Sequence, residues 1–202
     1  MTKKKRPSRS GGRSGRGPTS LDVPVKELQG REKLSFALER FAVHARGRVA
    51  FDCGASTGGF TQALLDAGAA RVFAVDAGFG QLLGSLRQDE RVVNLERTNL
   101  ADARTEVPVD VVTLDLSYLS LTDALPQLAI DLAPGADLLA LVKPMFELHL
   151  GQLPEDQDAG LTEATIIAIE GARAAGWTVV DSAESPVRGN GGAVEGFLHA
   201  RR

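Results

Sequence analysis

A short apolar strand that ends beside an acid and runs into a glycine-rich turn is the feature that most constrains this fold. Residues 49–53 read Val-Ala-Phe-Asp-Cys, and Gly-Ala-Ser-Thr-Gly-Gly-Phe follows at 54–60, where a helical pattern begins. Small residues let a ligand approach the backbone closely, and a helix N-terminus offers free N–H donors. A second apolar strand, residues 71–76, ends in Asp76, an acid of the kind that accepts ribose hydroxyls. Together the two strands predict a pocket for an adenosine-containing cofactor at the carboxyl edge of a parallel sheet.

The spacing of the glycines indicates which cofactor the turn is built for. A dinucleotide-binding turn follows G-x-G-x-x-G, but Ser56 stands here where the second glycine would admit a pyrophosphate. Asp52 precedes the first glycine, Gly54, by two residues. The form D-x-G-x-S-x-G-G ahead of an acid-ended strand resembles the S-adenosylmethionine site of class I methyltransferases. A nicotinamide dinucleotide site is the weaker interpretation of the same residues.

The same turn also contains the pattern of a serine nucleophile. Residues 54–58 read G-x-S-x-G, which in serine hydrolases needs an oxyanion hole from an earlier strand and a later acid and histidine. The sequence predicts only one helix before this strand, and of the three histidines only His149 and His199 follow Ser56. A hydrolase is therefore the lesser alternative.

Length and composition are typical of one globular α/β domain. The 202 residues, 43% of them hydrophobic, can form a substantial core, and no apolar run approaches the roughly 18 residues that span a bilayer. The single cysteine, Cys53, excludes an internal disulfide and is best explained as an apolar filler. The basic N-terminus lacks the apolar segment of a secretion signal. We therefore expect a cytoplasmic protein without membrane association.

Charge is distributed unevenly along the chain. Residues 1–20 hold seven Lys and Arg residues and no acid, whereas the remaining residues hold 16 basic against 26 acidic side chains. The first segment is also rich in Ser, Gly and Pro, which predicts a disordered basic tail ahead of a folded domain over residues 21–202. Such a tail can bind RNA phosphates by releasing their counterions, or can serve only to keep the protein in solution.

Hydrophobic periodicity predicts alternating strands and helices after the tail. The predicted helices cover about 28–45, 58–67, 121–132 and 162–175, and the predicted strands about 48–53, 71–76, 91–95, 109–115, 137–143, 177–180 and 193–200. The last two strands are expected to pair antiparallel. Residues 147–160 are predicted to form a mobile loop able to act as a lid. This order predicts a Rossmann-like α/β sandwich of about seven strands.

Two core strands end in a charged residue. Asp115 closes the strand at 109–115, and Lys143 closes the strand at 137–143. Because ligands bind at the carboxyl ends of parallel strands, both charges are expected to face the pocket. A lysine there can take a proton from a hydroxyl once it is neutral, and both burial and a nearby positive charge favour the neutral form. A structural ion pair that caps the sheet is the alternative.

A series of motifs in a fixed order carries a more specific signal. They are DCGASTGGFT (52–61), VDAGFGQL (75–82), LRQD (86–89), LERTN (95–99), DLSYLSL (115–121), VKPMFE (142–147) and SPVRGNGGAVE (185–195). They resemble the motifs of the TlyA-type hemolysin and ribosomal RNA methyltransferase family, a branch of the FtsJ-like 2′-O-methyltransferases. The resemblance covers about residues 29–202. It implies a class I methyltransferase fold, S-adenosyl-L-methionine as cofactor, and ribose 2′-O-methylation of ribosomal RNA.

The resemblance also implies a catalytic set of Lys-Asp-Lys-Glu. Asp115 and Lys143 match the family pattern directly, and Glu195 matches its final acid. Lys33 takes the place of the first lysine, although the usual Gly-Gly-Leu-Lys stretch reads Gly-Arg-Glu-Lys at 30–33. Lys143 would accept the proton of the 2′-hydroxyl, Lys33 and Asp115 would orient it, and Glu195 would adjust the charge. By spacing alone, Lys33 and Glu195 are ordinary surface residues.

The same resemblance implies a set of cofactor contacts. The predicted set is Asp52, Gly54, Ala55, Ser56, Gly58, Gly59, Phe60, Asp76, Asn99 and Asp115. The glycines and Ser56 would leave room for the methionine part, with Asp52 near its amino group. Asp76 would hold the ribose and Asn99 the adenine. No metal belongs to the predicted site.

Other functions remain open from the sequence. Members of this family usually carry a small RNA-binding domain ahead of the methyltransferase, and this chain has the basic tail there, so we expect the tail to contribute to RNA binding. A catalytically silent cofactor-binding protein that assists ribosome assembly is one alternative. A methyltransferase for a non-RNA substrate is another, which the acidic body favours. Membrane lysis, suggested by the family name, finds no exposed amphipathic segment to support it.

Overall fold

The computed structural model describes residues 25–202. The tail at 1–20 lies outside these residues, so its disorder stays a prediction. The helices are α1 (Val25–Arg40), α2 (Gly59–Asp66), α3 (Gly84–Arg87), α4 (Leu121–Ala124), α5 (Pro144–Glu147) and α6 (Gln157–Ala174). The strands are β1 (Val49–Cys53), β2 (Arg71–Asp76), β3 (Val92–Glu96), β4 (Val109–Leu114), β5 (Leu132–Val142), β6 (Thr178–Glu184) and β7 (Gly196–Arg201).

The seven strands form one mixed sheet in the order β3-β2-β1-β4-β5-β7-β6. Strands β1 to β5 run parallel, and β7 lies antiparallel between β5 and β6. The strand order reverses between β1 and β4, so the carboxyl ends of these two strands lie side by side. Such a switch point is where open α/β sheets bind their ligands. The predicted fold class is therefore confirmed.

Helices cover both faces of the sheet. Leu34 of α1, Leu64 of α2 and Leu86 of α3 belong to the hydrophobic core on one face. Leu121 of α4 and Ala168 of α6 belong to the core on the other face. The inner strands β1, β2 and β4 are apolar and buried over most of their length, whereas the edge strands β3 and β6 are only partly buried. Between residues 25 and 202, no helix combines the length and hydrophobicity needed to cross a bilayer.

Two predicted helices were too long. The first ends at Arg40 and not near Ala45, because Ala42 adopts a left-handed conformation (φ 52°) and the N–H of Val43 turns back to the carbonyl of Leu38. The helix predicted over 121–132 is α helical only to Ala124 and continues as a 3₁₀ turn to Gln127. Pro126 lacks the N–H donor that would extend it. The chain then enters β5 at Leu132, five residues earlier than predicted.

The predicted loop at 147–160 is shortened by a helix at each end. Helix α5 reaches Glu147, and α6 begins at Gln157, where the prediction placed Thr162. Asp156 caps α6, because its side chain accepts the N–H of Ala159 (3.0 Å). Residues 148–156 remain between the two helices, so the predicted bounds of the loop were wrong, and its action as a lid stays a prediction.

Candidate active site

The turn between β1 and α2 forms a cradle of bare backbone. Gly54 (φ 86°) and Gly58 (φ 103°) adopt left-handed conformations that favour glycine. A Cβ atom on Gly54 would collide with the carbonyl oxygen of Asp115, and one on Gly58 would collide with Leu86. A cavity of about 60 Å³ follows this backbone, lined by Gly30, Gly54, Ala55, Ser56, Gly59 and Phe60 among others. The two glycines are therefore required by the packing of the turn itself, and the small residues beside them leave its backbone open to a ligand such as the predicted cofactor.

Asp76 at the end of β2 fixes the shape of this cradle. Its Oδ2 accepts the N–H of Ser56 (2.8 Å), and its Oδ1 accepts the N–H of Gly78 (2.7 Å). One carboxylate therefore joins the glycine turn after β1 to the turn after β2. Both oxygens are already hydrogen-bonded to backbone, so the predicted contact between Asp76 and a ribose stays a prediction.

Asp52 and Asn99, both predicted to contact the cofactor, do not line the cavities at the glycine turn. Asp52 is fully buried, and its carboxylate accepts the hydroxyls of Thr61 (2.6 Å) and Thr113 (3.0 Å). Burial raises the pKa of Asp52 to about 6. Asn99 is exposed after β3, with its Nδ2 3.4 Å from Asp102. Asp52 thus joins α2 to β4 beneath the turn, and cofactor contact by either residue stays a prediction.

The four charged residues of the predicted catalytic set meet at one cavity. Nζ of Lys143 lies 2.5 Å from Oδ1 of Asp115, and Nζ of Lys33 lies 2.6 Å from Oε2 of Glu195. A cavity of about 120 Å³ is lined by all four residues together with Gly54 of the glycine turn. We refer to it as the reaction cavity. The fold therefore brings two ion pairs to the edge of the cradle.

Close packing of α1 against α2 is what brings Lys33 to the reaction cavity. A Cβ atom on Gly59 would lie 2.9 Å from Cα of Gly30, so glycine is needed where the two helices touch. On the other side, Gly189 leaves room for the Glu195 carboxylate, which a Cβ atom there would strike. Lys33 is 8% exposed and Glu195 5%. Each buried charge depends on the other, because an unpaired ion at this depth is costly.

Besides Gln29, sequence reasoning missed Ser117 and Asn190 among the polar residues that line the reaction cavity. Ser117 follows Asp115 by two residues, and its Oγ lies 2.9 Å from Nζ of Lys143. Asn190 lines the same cavity from the 3₁₀ turn Asn190–Gly192 that precedes β7. The available signals were the hydroxyl-rich stretch DLSYLSL and the glycine-rich stretch RGNGG. Both stretches contribute to the family resemblance, but that resemblance does not single out these two side chains.

Glu147 connects the segment that carries Lys143 to the loop after β4. It is 3% exposed at the end of α5, and its Oε1 accepts the N–H of Leu121 at the start of α4 (2.8 Å). Its Oε2 is buried and has no hydrogen-bond partner within residues 25–202. Burial raises the pKa of Glu147 to about 7. The fold therefore favours the protonated carboxyl group.

We expect Glu147 to make the protein less stable as the pH rises. Its carboxyl ionises near pH 4.5 in the unfolded chain and near 7 in the folded protein, so its stabilising contribution is complete below pH 4.5 and lost by about pH 7. Glu147→Gln keeps the acceptor for Leu121 but cannot ionise. The difference in free energy of unfolding between Glu147→Gln and the wild type should therefore shift in favour of the variant between pH 5 and pH 8, by on the order of 2 kcal/mol.

Chemical denaturation of both proteins at the two pH values measures this difference. Glu155→Gln, at an exposed position between α5 and α6, is the matched control and should show no such growth. An advantage of Glu147→Gln that is the same at pH 5 and pH 8 would mean that Glu147 is ionised in the folded protein throughout.

The residues around Ser56 do not form a hydrolase site. Its hydroxyl donates to Oε1 of Gln81 (3.1 Å) and, within residues 25–202, not to a histidine. His199 is buried against Asp137 (2.9 Å). Cys53 is buried as well, and burial raises the pKa of its thiol to about 12, in keeping with an apolar filler.

Comparison of the sequence with known proteins finds relatives over most of the chain. The model of the FtsJ-like methyltransferase family matches residues 29–202. The 16S/23S rRNA (cytidine-2′-O)-methyltransferase TlyA of Mycobacterium tuberculosis is 46% identical over 180 residues, which cover 86% of this chain and 67% of the relative. Hemolysin A of Brachyspira hyodysenteriae is 35% identical, covering 83% of this chain and 73% of the relative. This chain thus spans about two thirds of the length of the mycobacterial relative.

Comparison of the fold finds similar solved structures. A candidate hemolysin from Streptococcus thermophilus superposes with a TM-score of 0.80 at 33% identity, covering 93% of this chain and 69% of that one. The 1,6-didemethyltoxoflavin-N1-methyltransferase of Burkholderia thailandensis superposes with a TM-score of 0.61 at 21% identity, covering 90% of this chain and 81% of that one. At that identity the second likeness concerns the fold alone.

Proposed function

This chain belongs to the FtsJ-like family of S-adenosylmethionine-dependent methyltransferases, and we propose that it methylates the ribose 2′-hydroxyl of a nucleotide in ribosomal RNA. The observation that carries the proposal is the meeting of Lys33, Asp115, Lys143 and Glu195 at the reaction cavity, beside the glycine turn. The relatives from Mycobacterium tuberculosis and Campylobacter jejuni, whose names state a reaction, are cytidine-2′-O-methyltransferases of ribosomal RNA.

Lys143 is the proposed base. When bound, S-adenosylmethionine supplies a methyl group on a positively charged sulfur, so the protein has to position the acceptor and remove one proton. Nζ of Lys143 would accept the proton that the 2′-hydroxyl loses when its oxygen receives the methyl group. Asp115 and Ser117 hold Nζ in place through their contacts of 2.5 and 2.9 Å.

Lys33 and Glu195 form the opposite wall of the reaction cavity. Their ion pair is buried and short, so neither side chain is free to move into the space that the acceptor would occupy. Lys33 offers a positive charge near the developing alkoxide, and Glu195 balances that charge in the absence of substrate. We propose that both residues position the acceptor ribose while Lys143 accepts its proton.

Exposed aromatic side chains at the same sheet edge support an RNA substrate. Tyr118 follows β4 and is 54% exposed, and Phe79 follows β2 and is 64% exposed. The guanidinium of Arg97 lies 3.9 Å from the centre of the Phe79 ring. Aromatic and guanidinium planes are surfaces on which unpaired RNA bases stack. The basic residues 1–20, attached to the methyltransferase domain at 21–202, would add contacts to phosphates.

Methyl transfer to RNA from radiolabelled S-adenosylmethionine tests the proposal. The purified protein, incubated with ribosomal subunits or total ribosomal RNA, should place label in dinucleotides that survive alkali, because a 2′-O-methyl group blocks strand cleavage. RNA with a 2′-deoxynucleotide at the mapped acceptor is the matched control and should stay unlabelled. Cofactor binding without label in any RNA would favour a silent assembly factor, and label in protein or small molecules would favour another substrate class.

A further inference from the structure

A second, larger cavity opens beside the reaction cavity. Its volume is about 230 Å³, and its walls are mostly apolar, formed by Met145, Phe146, Leu153, Pro154, Ala193 and Val194. We refer to it as the apolar chamber. It shares Ser117, Lys143, Asn190 and Glu195 with the reaction cavity, so the two spaces adjoin at the proposed base.

The position of the apolar chamber matches the shape of a nucleotide. In a ribonucleotide the 2′-oxygen is bonded to C2′, and the neighbouring C1′ carries the base. A 2′-hydroxyl held at Lys143 therefore places its own base only a few bonds away. Nζ of Lys143 lies 5.8 Å from the centre of the Phe146 ring, which lines the chamber. Bases that rotate out of an RNA helix are bound in such pockets and stack on aromatic rings.

Gln157 gives the apolar chamber a polar group of fixed orientation. This first residue of α6 lines the chamber, and its Oε1 accepts the N–H of Val194 (2.8 Å). A rotation of the amide by 180° would set its NH₂ group against that N–H donor, so the orientation is determined by the hydrogen bond. Nε2 has no hydrogen-bond partner within residues 25–202, and its two N–H donors remain for a ligand.

We propose that the apolar chamber receives the base of the acceptor nucleotide and that Gln157 selects cytosine there. This inference rests on the proposed function. Cytosine presents N3 as an acceptor, and one N–H of the Gln157 amide can donate to it. Uracil presents an N3–H donor between its oxygens, which would oppose the amide. The apolar walls and the Phe146 ring bury the faces of the base.

Gln157→Glu is the test, because it keeps the acceptor for Val194 and replaces the donors by a carboxylate oxygen. The methylated nucleotide is mapped first, and substrate RNA is then prepared with cytosine or uracil at that position. The wild type should prefer cytosine in kcat/KM, and the variant should lose that preference by about 10- to 100-fold. Gln152→Glu, an equal charge change at an exposed position, should behave as the wild type.

Ala193→Phe, which fills the apolar chamber, provides a second measurement. It should lower RNA methylation at least about tenfold, with unchanged affinity for S-adenosylhomocysteine. If the wild type methylates RNA but Gln157→Glu keeps its preference and Ala193→Phe its rate, the inference is wrong and the proposed function stands. An acceptor that maps to a purine also overturns the inference. If the wild type labels no RNA, the proposed function and the inference fail together.

Discussion

Lys143→Ala should lower the rate of methyl transfer by about 10²- to 10⁴-fold, the range that one general base contributes, and leave cofactor affinity within a few-fold of the wild type. The reason is geometric. Nζ of Lys143 is held by Asp115 and Ser117 where the reaction cavity meets the apolar chamber, next to the proposed acceptor oxygen. Single-turnover methylation measures the rate, and calorimetry with S-adenosylhomocysteine measures the affinity.

Lys143→Arg separates proton transfer from charge. An arginine keeps the positive charge beside Asp115 but does not give up its proton, so this variant should be as slow as alanine. Arg173→Ala, an exposed residue on α6, is the control for a lost cation and should have normal rates. If the methylation rate of Lys143→Ala stays within about tenfold of the wild type, a group other than Lys143 acts as the base.

Gly54→Ala should have the second largest effect, on cofactor affinity. A Cβ atom at φ 86° would collide with the carbonyl of Asp115, so the turn that forms the cradle has to be rebuilt. A left-handed conformation costs a residue other than glycine about 1–3 kcal/mol. If binding of the cofactor has to restore about 1.4–2.8 kcal/mol of that strain, affinity falls by roughly 10- to 100-fold. Calorimetry with S-adenosylhomocysteine measures the loss.

Gly47→Ala is the matched control for Gly54→Ala. Gly47 has a similar left-handed conformation (φ 73°), but a Cβ atom there would meet nothing within 4 Å. This variant should lose stability on thermal unfolding through backbone strain alone and keep normal cofactor affinity. Equal affinity in the two variants would mean that the glycine turn does not contact the cofactor.

Features that depend on strand direction are well predicted by the sequence. Asp115 and Lys143 end two apolar strands, and any parallel arrangement of β4 and β5 brings such ends to one edge. The sheet adds that β4 and β5 are direct neighbours, with Leu114 opposite Ala140. That register lets the aspartate and the lysine touch. The acid-ended strands and the glycine turn are recognisable for the same local reason.

Contacts between distant segments could not be predicted from local patterns. Lys33 and Glu195 are 162 residues apart, and only the family resemblance suggested that both belong to one site. The apolar chamber is formed by residues from α5, from the start of α6 and from the segment before β7. None of these segments indicates a cavity by its own periodicity. Asp52 shows the opposite limit of local patterns. Its position beside the glycine turn predicted a cofactor contact, but its carboxylate accepts hydrogen bonds from two buried threonine hydroxyls.

The place of β7 in the sheet determines when the ion pair between Lys33 and Glu195 can form during synthesis. Strand β7 is the last of the seven along the chain, yet it lies between β5 and β6. During synthesis, β5 and β6 emerge first and have no strand between them until residues 196–201 leave the ribosome. Glu195 directly precedes that strand, so Lys33 is without its ion-pair partner until this part of the chain has been made. A nascent chain, or one clipped before residue 195, therefore cannot form the Lys33–Glu195 wall of the reaction cavity.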